Sequence, residues 1–285
     1  MPALNLERLQ TYRAATYHLR PDLRVTTKDQ AVDFVNERGF VYFWPIKDVT
    51  MPSLWAAVAG DRPVPDEHDD PGHVTWRWKD EMLGARRWYY AKVLRKKSTM
   101  IALPEVPFFY ALSANYGSPE DDYLILYQQG RLTQEAKTVY ETLLDQGPLD
   151  TVALRKAARM TSRESETRFN KAITDLQADF KIVPAAVTQA GAWRYAFAYD
   201  LVTRQYPELI DQTRFISDSQ ARQQLTERYF LSVGAALFSD LVRFFGWHRQ
   251  EGEKAIDALV ASGSLVRNIE VDHYPGEWIA VSEMY

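Results

Sequence analysis

The densest concentration of chemistry-bearing side chains is Trp76-Arg77-Trp78 followed by the run from Arg86 to Lys97. Those twelve positions hold Arg86, Arg87, Lys92, Arg95, Lys96 and Lys97 with no acid among them, interleaved with Trp88, Tyr89 and Tyr90. Cationic side chains neutralise phosphates and release their counterions, and aromatic faces stack on unpaired bases for about 1–3 kcal/mol each. The charges therefore predict a nucleic-acid surface. The aromatics either join it by stacking or anchor an amphipathic helix from inside.

Carboxylates offer a second chemistry. Asp29, Asp33 and Glu37 recur every four residues on one helical face and would activate water if buried, although solvated helix faces show the same spacing. Asp80 and Glu81, beside Trp78, are alternatives, so Asp33 and Asp80 stand as the candidate bases. His68 and His73 share an acidic, proline-broken stretch between Asp61 and His73. No His-x-x-x-His spacing fixes a metal there, and an exposed acidic loop with no metal is expected. The chain has no cysteine, which excludes disulfides, thiolate nucleophiles and cysteine zinc sites. It also has no G-x-x-x-x-G-K-[ST], H-E-x-x-H or G-x-S-x-G motif, and no cofactor is expected.

The elements that must position these residues repeat. Apolar spacing predicts a helix over Thr133–Gln146 closed by Gly147-Pro148, a short helix over Thr151–Met160, and a third helix carrying Phe169, Ala172, Ile173 and Leu176 inward. A capping box at Thr161-Ser162-Arg163-Glu164 opens that third helix. Strands are predicted next over Lys181–Thr188 and Ala192–Tyr199. The same order returns from Ser219, with helices to Val233, through Leu237–Phe245, and around Ala255, Ile256 and Leu259. It ends in strands Leu265–Asp272 and Trp278–Val281 around a tight turn at Tyr274-Pro275-Gly276-Glu277. Leu154 matches Leu241, Ile182-Val183 matches Leu265-Val266, and Trp193 matches Trp278.

Helix, helix, helix and hairpin is the winged-helix order, in which the third helix enters a major groove. The prediction is α+β, mainly helical, with tandem winged-helix units over 123–207 and 208–285. A more divergent winged-helix-like unit is expected over 1–122. In that first part, Leu4–Leu19, Asp29–Glu37 and Pro52–Ala59 read as helices and Phe40–Trp44 as a buried apolar strand or turn. Trp76–Leu94 reads as mostly helical with a break near Gly84, Thr99–Leu103 as a strand, Val106–Ala114 as a helix, and Ser118–Asp122 as a linker.

With 285 residues, 46% hydrophobic and 25% charged, the chain is globular and longer than one domain of about 100–200 residues requires. No apolar run reaches the roughly 20 residues of a membrane span, and the start lacks the order of a signal peptide, so a soluble cytoplasmic protein is expected. The net charge of −4 divides into −1 over 1–130, +2 over 131–205 and −5 over 206–285. The two predicted recognition helices each carry a small excess of acid, leaving Arg163 and, on the wing, Arg194 as their candidate DNA contacts. The acidic last unit suits a protein partner.

Asp145-Gln146-Gly147-Pro148-Leu149, the helix ending at Leu176, Ile182-Val183, Trp193-Arg194-Tyr195 and Asp200 to Pro207 together resemble the middle winged helix of the AlkZ/YcaQ-type DNA glycosylases. The 219–285 repeat resembles that family's next winged helix, and Ala31–Ile46 resembles the helix and turn before its catalytic motif. The resemblance implies tandem winged helices acting on DNA and, in the family, removal of alkylated and crosslinked bases. Its catalytic motif, a Gln, an apolar residue and a Gln or Asp that activate water, aligns with Tyr42, Phe43 and Trp44. Tyrosine, with a reference pKa of about 10, is a poor base, and indole only donates. The family's C-terminal β-barrel is also expected to be missing.

Residues and resemblance together imply a DNA-binding protein, directed to damaged or unpaired DNA, that keeps the scaffold without the usual pair. Its contacts would come from Trp78, Trp88, Tyr42 and Trp44 with the basic run. The alternatives are an active glycosylase using a different carboxylate and a winged-helix module that binds protein.

Overall fold

The computed structural model describes residues 3–191, 193–271 and 274–284. The architecture is mixed α+β and mainly helical, and one order of elements recurs three times: helix, short strand, helix, helix, two-stranded hairpin. Strand β1 (Ala3–Leu4) and helix α1 (Leu6–Thr16) precede the first copy. That copy comprises α2 (Lys28–Arg38), β2 (Phe40–Tyr42), α3 (Leu54–Ala59), α4 (Val74–Ala85), β3 (Tyr89–Lys92) and β4 (Ser98–Ile101). Helices α5 (Val106–Ala111) and α6 (Asp122–Gln128) lead to the second. It is built of α7 (Gln134–Gln146), β5 (Leu149–Asp150), α8 (Thr151–Ala157), α9 (Arg163–Ala178), β6 (Ile182–Thr188) and β7 (Ala196–Leu201). After α10 (Val202–Gln205) and α11 (Leu209–Thr213), the third contains α12 (Asp218–Val233), β8 (Ala235–Leu237), α13 (Phe238–Phe245), α14 (Arg249–Ala261), β9 (Leu265–Val271) and β10 (Tyr274–Val281).

In every copy the short strand pairs with the second strand of the hairpin, giving sheet orders β2-β4-β3, β5-β7-β6 and β1-β9-β10-β8. Local sequence accounts for the shared turn into that strand. Capping boxes at Thr27/Gln30 and Ser217/Gln220 open α2 and α12, and Gly39 and Gly234, both at positive φ, close them. At Gly234 a Cβ would lie 2.7 Å from Tyr12 Cδ1 and 2.9 Å from Met284 Sδ, so the position needs glycine for room as well as for conformation.

The β2-β4-β3 sheet is buried on both faces. Phe40, Tyr42, Tyr89 and Ile101 face a core shared with α12, α13 and the third hairpin, while Val41, Phe43, Tyr90 and Met100 face a second core with α2 and α4. A strand covered on both sides reads as a continuous apolar run, which is why Phe40 to Trp44 shows no alternation. A third core lies within the second copy, around Leu143, Leu154, Phe169 and Leu176.

Several elements differ from expectation. Helix α4 stops at Ala85, where Arg86 takes a left-handed conformation, and the residues after it form β3 rather than more helix. Ser162, not Thr161, caps α9, its hydroxyl accepting from the Ser165 amide. Asp122 belongs to α6, and its carboxylate accepts from the amides of Tyr116 and Ser118, which converts the expected linker into a fixed turn. Tyr274–Glu277 lies in β10, not in a turn. Asp272, the expected end of one strand, and Ala192, the expected start of another, lie outside the described residues.

The first residues also join the third copy rather than the first. β1 pairs with β9, and on α1 the Tyr12 hydroxyl donates to Leu231 O at 2.8 Å while Arg13 donates to Val233 O at 3.0 Å and Ala235 O at 2.8 Å. Among the described residues, no helix is long and apolar enough to cross a membrane.

Candidate functional site

Tyr42, Phe43 and Trp44 are placed by the two-faced sheet. Tyr42 is 1% exposed and stands edge-on to Phe244 at 6.0 Å. Its hydroxyl has no hydrogen-bond partner among the described residues, and burial pushes its phenol well above the ordinary range despite nearby Arg95. Phe43, equally buried, meets Trp44 at 4.9 Å and Trp76 at 5.7 Å. Tyr42 is thus a core residue and presents no face to a base. Trp44 is half-buried and lines a separate cavity of about 540 Å³ with Asp66, His68, His73 and Trp76. No three His, Asp or Glu side chains among the described residues gather as a metal site requires.

Behind Trp76 lies a buried ion pair. Lys79 is 1% exposed and donates to the Tyr195 hydroxyl at 2.8 Å, while its Nζ sits 2.8 Å from Asp80 Oδ1. Tyr195 in turn donates to the same Asp80 oxygen at 3.0 Å. Aromatic rings close the remaining sides, with Phe197 at 4.6 Å and Trp76 at 4.8 Å from the ammonium. Desolvation lowers the lysine's pKa, opposed by Asp80. This cluster pins α4 to the second hairpin, so Asp80 serves as an acceptor in a structural lock rather than as a free base. Asp33 also leaves the candidate set: with Asp29 and Glu37 it occupies the solvent-exposed face of α2.

The basic run divides. Trp88, Tyr89 and Tyr90 are buried, as is Trp78, so these rings are core anchors and are withdrawn as base-stacking residues. The charges fall at the two ends of β3. Arg86 donates to Gln205 O at 2.7 Å, exposed Lys92 ends β3, and the exposed loop into β4 holds Arg95, Lys96 and Lys97. Lys96 is engaged by Asp175 at 2.5 Å, a carboxylate that also holds Lys171. Arg87, Arg95 and Lys97 have no ion-pair partner among the described residues. Arg95 and Lys96 both adopt positive φ, an unusual conformation for consecutive side-chain-bearing residues.

Arg95 leads into a cleft of about 490 Å³ where all three copies meet. Arg131 and Asp179 line it, and Phe245 stacks on Trp247 in its wall at 4.2 Å between centroids. Arg222 is already neutralised by Asp218 and Glu251. Asp179, at the end of α9, is open to the solvent in the cleft, yet the surrounding protein desolvates it and raises its pKa, with Lys181, Lys96 and Arg131 opposing. Its carboxylate accepts no hydrogen bond among the described residues. Sequence reasoning missed Asp179 because it is one acid among several on an amphipathic helix, and only the meeting of three copies gives it a cleft.

On the third helices of the second and third copies, most charges are paired internally. Arg168 pairs with Glu135 and Lys171 with Asp175, leaving Arg163 exposed on α9. In the third copy, Arg249 and Arg267 are held by Glu253, Asp257 and Glu277. Arg194 is exposed at the tip of the β6–β7 hairpin beside Trp193. The matched tryptophans diverge, since Trp278 is 9% exposed within β10 and Trp193 is 91% exposed before β7.

The sequence profile described as AlkZ related matches residues 25–246. Among solved structures, Streptomyces sahachiroi DNA glycosylase AlkZ shares the fold, with a TM-score of 0.59 at 12% identity over 99% of this chain and 71% of that one. No curated protein matches in sequence. Matched over most of its length, the chain belongs to the AlkZ-related family.

Proposed function

We propose that this chain is a DNA-binding protein of three tandem winged helices that has kept the glycosylase scaffold and replaced the usual catalytic pair with core. The recurrent order of three helices and a hairpin, with the short strand paired to the hairpin's second strand, supports the winged-helix reading of all three copies. The observation that carries the functional reading is the burial of Tyr42 and Phe43 between two apolar cores, next to a cleft and loop that present Arg95, Arg131 and Lys97 with no ion-pair partner among the described residues. At the aligned position Tyr42 offers a phenol that burial keeps protonated, so it cannot take a proton from water at neutral pH. Damaged or unpaired DNA is the proposed ligand, seated on the loop before β4 and the cleft beside it, with the second copy, at net +2 over 131–205, adding favourable charge.

Anisotropy titrations at low salt with duplex, single-stranded and abasic DNA test this. Replacing Arg87, Arg95 and Lys97 together by Ala is expected to weaken binding at least tenfold and lower the salt slope by about 2–3, one unit for each lost phosphate contact. Lys96→Ala should change binding much less, because Asp175 already holds that charge. A wild-type chain that binds none of these DNAs sinks the proposal.

Asp179 favours a second reading, in which the chain hydrolyses an N-glycosidic bond with a carboxylate of its own. A desolvated carboxylate with a raised pKa is a better base than an ordinary one. In that reaction Asp179 takes a proton from water, the water oxygen bonds to C1′ of the sugar, and the base departs with the glycosidic electron pair. Alkali-labile abasic sites should then form in alkylated DNA, and Asp179→Asn should abolish them while leaving binding within about twofold. Absence of such sites with wild-type protein disposes of this reading alone.

A further inference from the structure

Trp193 is the most exposed large apolar side chain among the described residues, and it lies at the tip of the β6–β7 hairpin. Gly191, at φ 81°, and Arg194, at φ 50°, shape the turn, which the Arg194 amide closes by donating to Gly191 O at 3.2 Å. Immediately after the tip, Tyr195 is locked to Lys79 and Asp80. Phe197 packs on Tyr195 at 5.6 Å and Tyr90 at 6.1 Å. The root is therefore fixed in the core while the indole projects into solvent. Exposing an isolated tryptophan forfeits the burial energy that such a side chain ordinarily supplies, and burial is achieved by its counterpart Trp278.

We infer that Trp193 is a wedge that enters the base stack of duplex DNA at a disrupted step, with Arg194 on the adjoining backbone. Apolar side chains inserted between base steps unstack and kink a duplex, at a cost that is least where a base is missing, damaged or mismatched. The tip suits that role better than a protein or membrane interface. Beside it Gln189 and Arg194 are polar and Gly191 has no side chain; Val152, half exposed against Gly191, is a single small apolar group, whereas protein interfaces surround an anchor with many further contacts. Lys156, Arg159 and Arg163, exposed elsewhere on the same copy, suit phosphates further along the duplex. The inference rests on the DNA-binding reading and adds selectivity for a disrupted duplex.

The test uses the whole chain and two duplexes of one sequence, one intact and one with a central abasic site beside 2-aminopurine. Wild type should bind the abasic duplex about tenfold more tightly and change the 2-aminopurine fluorescence. Trp193→Ala should abolish both the preference and the signal while binding intact duplex within about twofold, and Trp193→Phe should restore most of the preference. The Arg87, Arg95 and Lys97 variant should instead weaken binding to both duplexes alike. An unchanged preference in Trp193→Ala overturns the wedge and leaves the DNA-binding reading standing. If wild type binds neither duplex, both fall. Trp193-dependent binding to anionic phospholipid vesicles, without a preference between the duplexes, overturns the wedge in favour of a membrane contact.

Discussion

Lys79→Ala is expected to destabilise the protein by about 3–5 kcal/mol, read as a lower urea midpoint at pH 7, because it breaks a buried pair and leaves a cavity in an aromatic cage. Lys79 is 1% exposed, pairs with its neighbour Asp80 on α4 and bonds Tyr195 of the second copy. Lys79→Met separates the two contributions. The thioether refills the cage and keeps contact with Phe197 and Trp76, while Tyr195 still donates to Asp80, whose side chain is 25% exposed and remains partly hydrated. Its cost should be only about 1–2 kcal/mol, near that of the lost hydrogen bond. Equal losses in the two variants would show that the ammonium itself, and not the filled volume, holds α4 to the hairpin.

The second large effect is a rise of stability with pH. Lys181 is 3% exposed, donates to Ala114 O at 2.8 Å and Asn115 Oδ1 at 2.7 Å, and is pulled down to about 8 by desolvation. Asp122 and Asp179 oppose that shift, and Arg131 adds to it. Below about pH 8 the lysine is protonated in both folded and unfolded chains. Between about 8 and the ordinary value of 10.5, the unfolded chain binds more protons, so stability increases with pH. The full gain is about 3 kcal/mol, of which about 2 should appear between pH 7.5 and 9.5. Measurement must stop there, because ionisation of the buried tyrosines favours the unfolded chain at higher pH. Lys181→Met should lose this share of the rise, and an unchanged slope would exclude Lys181 as its source.

Local patterns made much of the framework legible. Helical spacing from Ala136 to Leu144, and again from Phe169 to Leu176, reads correctly because each helix buries one stripe. The strand at Phe40 was readable as buried, but its two faces were not, since they depend on α13 from far along the chain. Trp88, Tyr89 and Tyr90 misled for the same reason: aromatics between bases resemble a surface platform until the strand they form is seen to be covered on both sides. Lys79 and Tyr195, and likewise Arg95 and Asp179, come together only through the packing of separate copies, a relation that no spacing records. The candidate site was therefore legible in its charges and hidden in its carboxylate.

The pairing of Ala3 with Glu270 and Leu4 with Val271 has a consequence for how the molecule is made. Residues 3–4 acquire this strand partner only after residues 270–271 have been synthesised. Until then the third sheet lacks its outer strand, and Leu9 has no core in which to bury. Contacts so distant in sequence form late, since the closure entropy of the whole intervening chain precedes any reward. β1 and β9 thus act as a latch between distant segments that is expected to fasten late in folding. Once fastened, the latch joins the third copy back to the start of the first, so the copies cannot swing apart as beads on a string.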